Sequence, residues 1–301
     1  MILSTLPRRE FRLIVKGHFL AFLRSRQALQ LSASILLIAL LVTIFSLFLP
    51  GAVDWHTYYR PAALLMAAGK SPFDVAGFVN APWVLLPLLP LIFLPEQVGR
   101  AVIAAACLLA VLFTAWKLGA KPFGVLWLLL SPPFMQLIYN GNVDWLVVLG
   151  FVFPPQVGLF FILIKPQMGF MLAIFWFIQA WRKNGLREVF RVFAPVTIVL
   201  LASFGVYGFW PTRFFNNPAL AYGHGNSSLW PLSIPIGLVL FYQAVKRQRA
   251  DFSIAACPFL SPYLTFHSWI GALLAFSSYT VETFLAVAGL WIVTLIRAFG
   301  Y

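Results

Sequence analysis

The chain has 301 residues, of which 61% are hydrophobic and 10% are charged, and its net charge is +13. A soluble domain is about half apolar and about a quarter charged, so this composition excludes a water-soluble core. The positive charge does not indicate a nucleic-acid partner, because the Lys and Arg residues cluster in short segments between apolar runs. Cytoplasmic loops of membrane proteins have this pattern.

The chain begins with a basic segment, residues 1–30, which carries Arg8, Arg9, Arg12, Lys16, Arg24 and Arg26. It lacks a small-residue cleavage site, so we expect no cleavable signal peptide. Basic residues interleaved with apolar ones predict a cytoplasmic helix that lies on anionic lipid headgroups. Residues 31–301 are predicted to form a single polytopic transmembrane domain.

Leu31–Leu49 is uncharged and long enough to cross a bilayer as a helix, which needs about 20 apolar residues. The apolar runs are continuous and do not alternate, so they predict an all-α helical bundle and exclude a barrel. Crossings that alternate from a cytoplasmic N-terminus give about ten spans: Leu31–Leu49, Pro82–Pro95, Ala101–Trp116, Pro122–Tyr139, Trp145–Ile164, Met168–Trp181, Val192–Trp210, Pro231–Val245, Phe252–Phe276 and Thr280–Arg297.

This layout predicts two long external loops, residues 50–81 and 211–230, in a multi-pass protein of the cell membrane (plasma or inner). It places 15 of the 21 Lys and Arg residues inside, Arg100 and Arg297 among them, and six outside, as the positive-inside rule requires. It also places Asp144 in a cytoplasmic loop that needs no special explanation. Four prolines interrupt the central spans, so two half-helices or a re-entrant pair are expected there: Pro132, Pro133, Pro154 and Pro155.

Asp54 is the acidic residue with the most informative position. It follows the first span by about five residues, next to aromatic side chains and just ahead of Arg60. A partly desolvated carboxylate at the membrane interface can accept a proton when its neighbours poise it. Alternatively, Asp54 caps the helix that follows it.

Four stretches resemble, in the same order, the motifs of glycosyltransferase family 87, a group of GT-C-type enzymes that use polyprenyl-phosphate sugars and include many mannosyltransferases. The first is DWHTYYRPAALLMAAGKSPFD with the following NAPWVLLPLLPLIFLP. The others are SPPFMQLIYNGNVDWLVVLGF, ILIKPQMGFMLAIF and LSPYLTFHSWI. Together they cover most of Val53–Trp269.

The resemblance implies a GT-C-like fold in which Asp54 occupies the catalytic position, as the general base of an inverting hexose transfer. It also implies substrate contacts for Tyr58, Tyr59 and Asn142, the last of which stands where the family usually has Gln. A leaving phosphate needs positive charge or N–H donors. The external candidates are Arg60, Lys165, Arg213, His224 and His267. Lys165 is equally explained by snorkelling to the membrane interface.

No second carboxylate closely follows Asp54, so neither a metal ion nor another cofactor is expected. The implied partners are a polyprenyl-phosphate-linked sugar donor, a glycolipid, glycan or protein acceptor, and membrane lipid. An alternative is a non-catalytic subunit that acts as a scaffold with partner chains, which the short chain and few acidic residues favour. A transporter or scramblase is the least favoured reading, since the predicted span centres hold almost no ionisable residues.

Overall fold

The computed structural model describes residues 26–215 and 225–299, and these residues form a helical bundle. Its α-helices are α1 (Arg26–Phe48), α2 (Arg60–Ala67), α3 (Glu96–Lys117), α4 (Pro122–Leu129), α5 (Pro132–Asn140), α6 (Asp144–Gly150), α7 (Pro155–Ile162), α8 (Pro166–Tyr207), α9 (Thr212–Phe215), α10 (Ile234–Arg247), α11 (Ala250–Leu260), α12 (Ile270–Phe276) and α13 (Thr280–Phe299). A π-helical turn covers Trp55–Tyr59, and 3₁₀ helices cover Pro72–Asp74, Pro82–Phe93 and Phe266–Trp269.

Four of these helices, α1, α3, α8 and α13, are long and apolar enough to cross a membrane, and the bent pair α4–α5 makes a fifth candidate. The all-α membrane class is therefore supported, whereas the count of about ten crossings stays a prediction. The predicted interfacial helix lies outside the described residues as far as residue 25, and residues 26–30 belong to α1.

Helix α3 is the centre of the bundle and packs against α1, α5 and α6. Its buried face is rich in alanine, and small residues let neighbouring helices approach closely. Arg100, near the start of α3, donates from Nη2 to the carbonyl of Ser46, near the end of α1, at 3.2 Å. The two helices are therefore antiparallel.

Contrary to the sequence prediction, the segment Pro82–Pro95 does not cross the bundle as an α-helix. Pro87 and Pro90 lack the N–H groups that an α-helix needs, and this segment forms a 3₁₀ helix that packs along α2. Directly after it, the Glu96 carboxylate lies 2.5 Å from His56 and 3.9 Å from Arg60. Helix α3 thus starts beside residues 50–60, at what we call the Asp54 end of the bundle.

The predicted span Trp145–Ile164 is instead a hairpin of two short helices, α6 and α7, as the prolines of this region allow. The side chains of Asp144 and Lys165 contact each other, so the chain enters and leaves the hairpin at one level. Gly150 and Gly158 face each other inside it. A Cβ on Gly158 would lie 2.6 Å from the Gly150 carbonyl oxygen, so the two helices touch backbone to backbone.

Helix α8 contains a break at Asn184 and Gly185, whose backbone angles are not helical. The break falls in the basic segment 182–191, between the predicted spans Met168–Trp181 and Val192–Trp210. Arg182 donates to the carbonyl of Val245 at 3.5 Å, which joins this segment to the basic segment after α10. We call the end of the bundle that contains residues 182–191 and 246–249 the basic end.

Four cations change places relative to the sequence prediction. Lys117 and Lys121 lie at the basic end, where the Lys121 amide donates to the carbonyl of Ser277, and not at the Asp54 end. Arg100 and Arg297 lie at the Asp54 end and not at the basic end, because they contact Ser46 and Ser227. The exchange is two for two, so it leaves the predicted ratio of 15 to six unchanged.

Candidate functional site

Side chains from the four motif-bearing segments meet in one place at the Asp54 side of the bundle. We call this set the polar cluster, and its members are Asp54, Asn142, Asp144, Lys165, Thr265, His267 and Ser268. Each follows or precedes a break between helices, so irregular backbone converges inside the bundle. Such backbone is tolerated at membrane depth where it is buried in protein or lines a cavity.

A buried ion pair forms the base of the polar cluster. Lys165 Nζ contacts Asp144 Oδ1, and the two residues are 6% and 0% exposed. Ser268 donates its hydroxyl proton to Asp144 Oδ2 at 2.6 Å, and His267 Nε2 lies 3.6 Å from the same oxygen. An ion pair this deep is stable only when further hydrogen bonds satisfy its members, and these contacts supply them.

Asn142 connects the ion pair to Asp54. Its Oδ1 accepts from Lys165 Nζ at 2.8 Å and from the backbone amide of Asp144 at 3.2 Å. Its Nδ2 donates to Asp54 Oδ2 at 2.5 Å. Because one amide serves both groups, the Asp54 carboxylate and the Lys165 ammonium are held at a fixed separation.

The turn that carries Asn142 is locked against the Asp54 segment by Gly141. This glycine has φ +62°, a conformation that other residues adopt at a cost, and it ends helix α5. A Cβ at this position would lie 2.7 Å from the side chain of Ala52 and 3.1 Å from that of Trp55. Glycine therefore permits both the turn and the close approach.

Thr265 and His267 close the other side of the polar cluster. Thr265 Oγ1 lies 3.0 Å from His267 Nε2 and 2.8 Å from Ser268 Oγ, and the Lys165 ammonium lies 3.2 Å from the same imidazole nitrogen. The imidazole thus faces the ammonium and the Asp144 carboxylate together. Because an ammonium can only donate, the imidazole Nε2 accepts from Lys165 with its lone pair.

Burial raises the pKa of the Asp54 carboxyl above its ordinary range, while Lys165 and the hydrogen bond from Asn142 act in the opposite direction. The desolvation effect is the largest of the three. A raised pKa makes the carboxylate a stronger base than an exposed aspartate. Asp54 makes no side-chain hydrogen bond to the helical turn that it precedes, so it does not cap that turn.

The polar cluster lies deep along the bundle. Cys107, at the middle of helix α3, approaches the carbonyl of Asn142 with its Sγ at 3.8 Å. A rise of about 1.5 Å per residue places that level about 16 Å below the start of α3. Ionisable groups at this depth are costly and are functional candidates by default.

Two cavities flank this part of the molecule. The first, of about 300 Å³, lies between α5, α13 and the segments 225–227 and 265–267, and it reaches the polar cluster at Thr265 and His267. Its remaining lining includes Gln136, Asn140 and Arg297. The second, of about 600 Å³, lies between residues 51–53 and 55–57, which follow α1, and the start of α3.

The structure brings four of the predicted site residues together, and they are Asp54, Asn142, Lys165 and His267. Tyr59 is linked to them indirectly: its hydroxyl lies 3.4 Å from Asn80 Oδ1, and Asn80 donates to the carbonyl of Ile164 at 3.0 Å. Tyr58 packs against Gly77, where a Cβ would lie 2.6 Å from its ring.

The other predicted phosphate-binding residues lie elsewhere. Arg60 faces the Glu96 carboxylate, and Arg213 donates to the carbonyl of Phe73 at 2.6 Å and lies over the Phe73 ring. His224 is outside the described residues. Neither arginine therefore contacts the polar cluster.

Sequence reasoning missed Asp144, which the structure places at the centre of the polar cluster and not in an exposed loop. Two features of the sequence point to it. Lys165 stands in an apolar run and needs a counter-ion if it is buried. Asp144 is the acidic residue of the NGNVD turn, two positions after the candidate Asn142. Thr265 and Ser268, the neighbours of His267, were missed because hydroxyls are too common to stand out.

Within residues 26–215 and 225–299, no group of three or more His, Cys, Asp and Glu side chains is placed to hold a metal ion. Comparisons of the chain with protein-family models, with curated proteins and with solved structures found no match.

Proposed function

We propose that the chain is a membrane glycosyltransferase that moves a hexose from a polyprenyl-phosphate donor to an acceptor at the Asp54 end of the bundle, outside the cytoplasm. The observation that carries the proposal is the bridge from Asp54 through Asn142 to Lys165. It holds a carboxylate of raised basicity near a cation in a partly enclosed site. The GT-C-like arrangement and mannose as the sugar rest on the motif resemblance.

The transfer needs one base and one anion-stabilising group. The acceptor hydroxyl oxygen attacks the anomeric carbon, and its proton passes to the Asp54 carboxylate. The bond between the anomeric carbon and the phosphate oxygen breaks, and polyprenyl phosphate leaves with the electron pair. Attack from the face opposite the phosphate inverts the anomeric centre. Phosphate is already a good leaving group, so no general acid is required.

The 300 Å³ cavity is the proposed binding site for the phosphate and the sugar of the donor. Its volume is at the lower bound of small-molecule sites, about 300 Å³. His267 joins it to the polar cluster, and Arg297 brings a guanidinium that pairs well with phosphate oxygens. The polyprenyl chain would leave the cavity between helices α5 and α13, which pack against each other.

The scaffold alternative predicts the same fold without transfer. The buried carboxylate, ammonium and imidazole beside the half-buried Asp54 support a chemical role over a purely structural one, since buried ions do not stabilise a bundle more than apolar residues do. The sequence disfavours a transporter because the predicted span centres hold almost no ionisable residues. The buried ion pair, which lies about halfway along α3, removes that objection. The 300 Å³ cavity that reaches the polar cluster nevertheless lies at the Asp54 end, which supports group transfer there.

The test uses the full chain, purified in detergent, with radiolabelled polyprenyl-phosphate mannose or glucose and membranes from expressing cells as the source of acceptors. We expect the unmodified protein to transfer the sugar. Asp54→Asn should lose about 10²- to 10⁴-fold in rate, the usual contribution of a positioned base. Asp74→Asn, an exposed carboxylate in the same loop, is the matched control and should transfer normally.

Equal rates for the unmodified protein and Asp54→Asn would exclude Asp54 as the base. Absence of transfer by the unmodified protein, with other membrane proteins co-purifying in fixed proportion, would establish the scaffold alternative.

A further inference from the structure

The 600 Å³ cavity at the Asp54 end has no part in the proposed transfer. It is lined by residues 51–53, by Trp55, His56 and Thr57, and by the first turns of helix α3. Asp54 itself is absent from its lining and points to Asn142 instead. The cavity therefore lies on the opposite side of the Asp54 segment from the polar cluster.

Arg100 lines this cavity and carries a buried charge. The residue is 9% exposed, and its Nη2 donates to the carbonyl of Ser46 at 3.2 Å. Its Nε has no hydrogen-bond partner, and no carboxylate lies within ion-pair distance of it among residues 26–215 and 225–299. A buried cation without a counter-ion is unfavourable, so the site is incomplete as the chain alone forms it.

The nearby acidic residue does not complete it. Glu96 also lines the cavity, but its carboxylate oxygens are engaged by His56 at 2.5 Å and by Arg60 at 3.9 Å. A guanidinium that lines a cavity and has no counter-ion forms a site for an oxyanion.

The surroundings indicate where that oxyanion comes from. The cavity opens next to the end of α1, an apolar helix whose membrane-length window is not buried in the bundle. Phe48 at that end is 78% exposed, and Val53 at the rim of the cavity is 60% exposed. An ion from water would leave these surfaces uncovered, whereas a lipid would lay its acyl chains on them.

We propose that this cavity binds the phosphate group of an anionic membrane lipid, with Arg100 as its principal donor. The lipid's acyl chains lie against the end of α1. Binding neutralises the guanidinium and fixes the start of α3 to the end of α1. The proposal does not depend on sugar transfer, since none of its groups belongs to the polar cluster.

The test measures thermal unfolding of the full chain in detergent, with no sugar donor present, while phosphatidylglycerol, phosphatidylcholine or inorganic phosphate is added. We expect phosphatidylglycerol to raise the unfolding temperature of the unmodified protein in a saturable way, and the other two to have little effect. Arg100→Gln should bind phosphatidylglycerol about tenfold more weakly or worse, as loss of a charge-assisted hydrogen bond implies. Arg187→Gln, an exposed arginine at the basic end, is the matched control.

The lipid-free samples distinguish lipid binding by Arg100 from a purely structural role. Removal of an uncompensated buried charge should leave the lipid-free unfolding temperature of Arg100→Gln unchanged or raised. A drop of equal size with and without lipid would overturn the proposal, and so would equal stabilisation by phosphatidylcholine or inorganic phosphate. If Arg100→Gln does not purify, Arg100→Lys keeps the charge but loses the planar fork, and undiminished phosphatidylglycerol affinity in that variant would also overturn it.

Discussion

Lys165 contacts the carboxylate of Asp144 at a depth where neither side chain reaches the surface of the bundle. The contact closes the hairpin of α6 and α7, because Asp144 is the first residue of α6 and Lys165 stands three residues after the end of α7. It also fixes where Asn142 and His267 find their partners. One ion pair therefore connects the course of the chain with the composition of the candidate site.

Removal of one member of this ion pair should lower the free energy of unfolding. Lys165→Met leaves the buried Asp144 carboxylate without its cation, and we expect a loss of about 3–5 kcal/mol in unfolding free energy. The double variant Asp144→Asn with Lys165→Met removes both charges and keeps an acceptor for Ser268, so it should recover most of the loss. Reversible unfolding in mixed detergent measures both effects.

The exposed Lys117→Met is the matched control for this series and should change the unfolding free energy little. If Lys165→Met behaves like Lys117→Met, Lys165 is solvated and the snorkelling interpretation of the sequence is the correct one.

Transfer should depend on pH through Asp54. Only the deprotonated carboxylate accepts a proton, and burial raises its pKa, so activity should fall with acidification at a pH above the ordinary value for aspartate, about 3.9. Asn142→Ala removes a hydrogen bond that lowers this pKa, so the acid limb should move further upward. Profiles of kcat/KM against pH measure both limbs.

An independent reading of the same pKa comes from stability and from infrared spectroscopy. Because the folded-state pKa is raised, the stability that protonated Asp54 contributes is present below the unfolded pKa and is lost as pH rises through the folded one. The carboxylic C=O band that disappears in Asp54→Asn should titrate over the same range. A band that titrates below the ordinary aspartate range would contradict the proposed role of burial.

Close packing inside the α6–α7 hairpin should not tolerate a methyl group. In Gly158→Ala the new Cβ meets both the Gly150 carbonyl oxygen and the ring of Trp176 at 2.6 Å, and we expect a loss of about 1–3 kcal/mol. Gly289→Ala in α13 meets nothing within 4 Å and should be neutral or slightly stabilising. Equal unfolding temperatures for the two variants would mean that the hairpin is not packed as described.

Cysteine labelling tests the course of the chain around α3. We expect Gln97→Cys to react from the same membrane side as Lys70→Cys, and Lys117→Cys to react from the other side. All three positions are exposed, and the native Cys107 and Cys257 are buried and should stay unlabelled. The alternating layout drawn from the sequence instead places Lys117 on the Lys70 side and Gln97 on the other side. Reaction of Lys117→Cys from the same side as Lys70→Cys, with Gln97→Cys reacting from the opposite side, would restore that layout.

The sequence by itself determined the class of the protein and the segments that carry its polar residues. Long uncharged runs such as Leu31–Leu49 must form helices in lipid, because their backbone polar groups have to be hydrogen-bonded within the segment. The cations cluster between such runs, as in cytoplasmic loops. Asp54, Asn142, Lys165 and His267 could be selected because polar groups are conspicuous in an apolar background. Motif order placed them in one candidate site, although four separate segments contribute them.

Tertiary structure alone decided which of these residues meet and how the chain runs between them. Alternation of crossings assumes that every apolar run traverses the bundle, but prolines turn residues 82–93 into a 3₁₀ helix, and Gly150 and Gly158 allow residues 144–162 to fold back on themselves. Reversal of those two segments brings Arg100 to the Asp54 end and buries Asp144 beside Lys165. Which distant charges pair depends on this packing, because no local sequence pattern shows which apolar segments fold back and which cross the bundle.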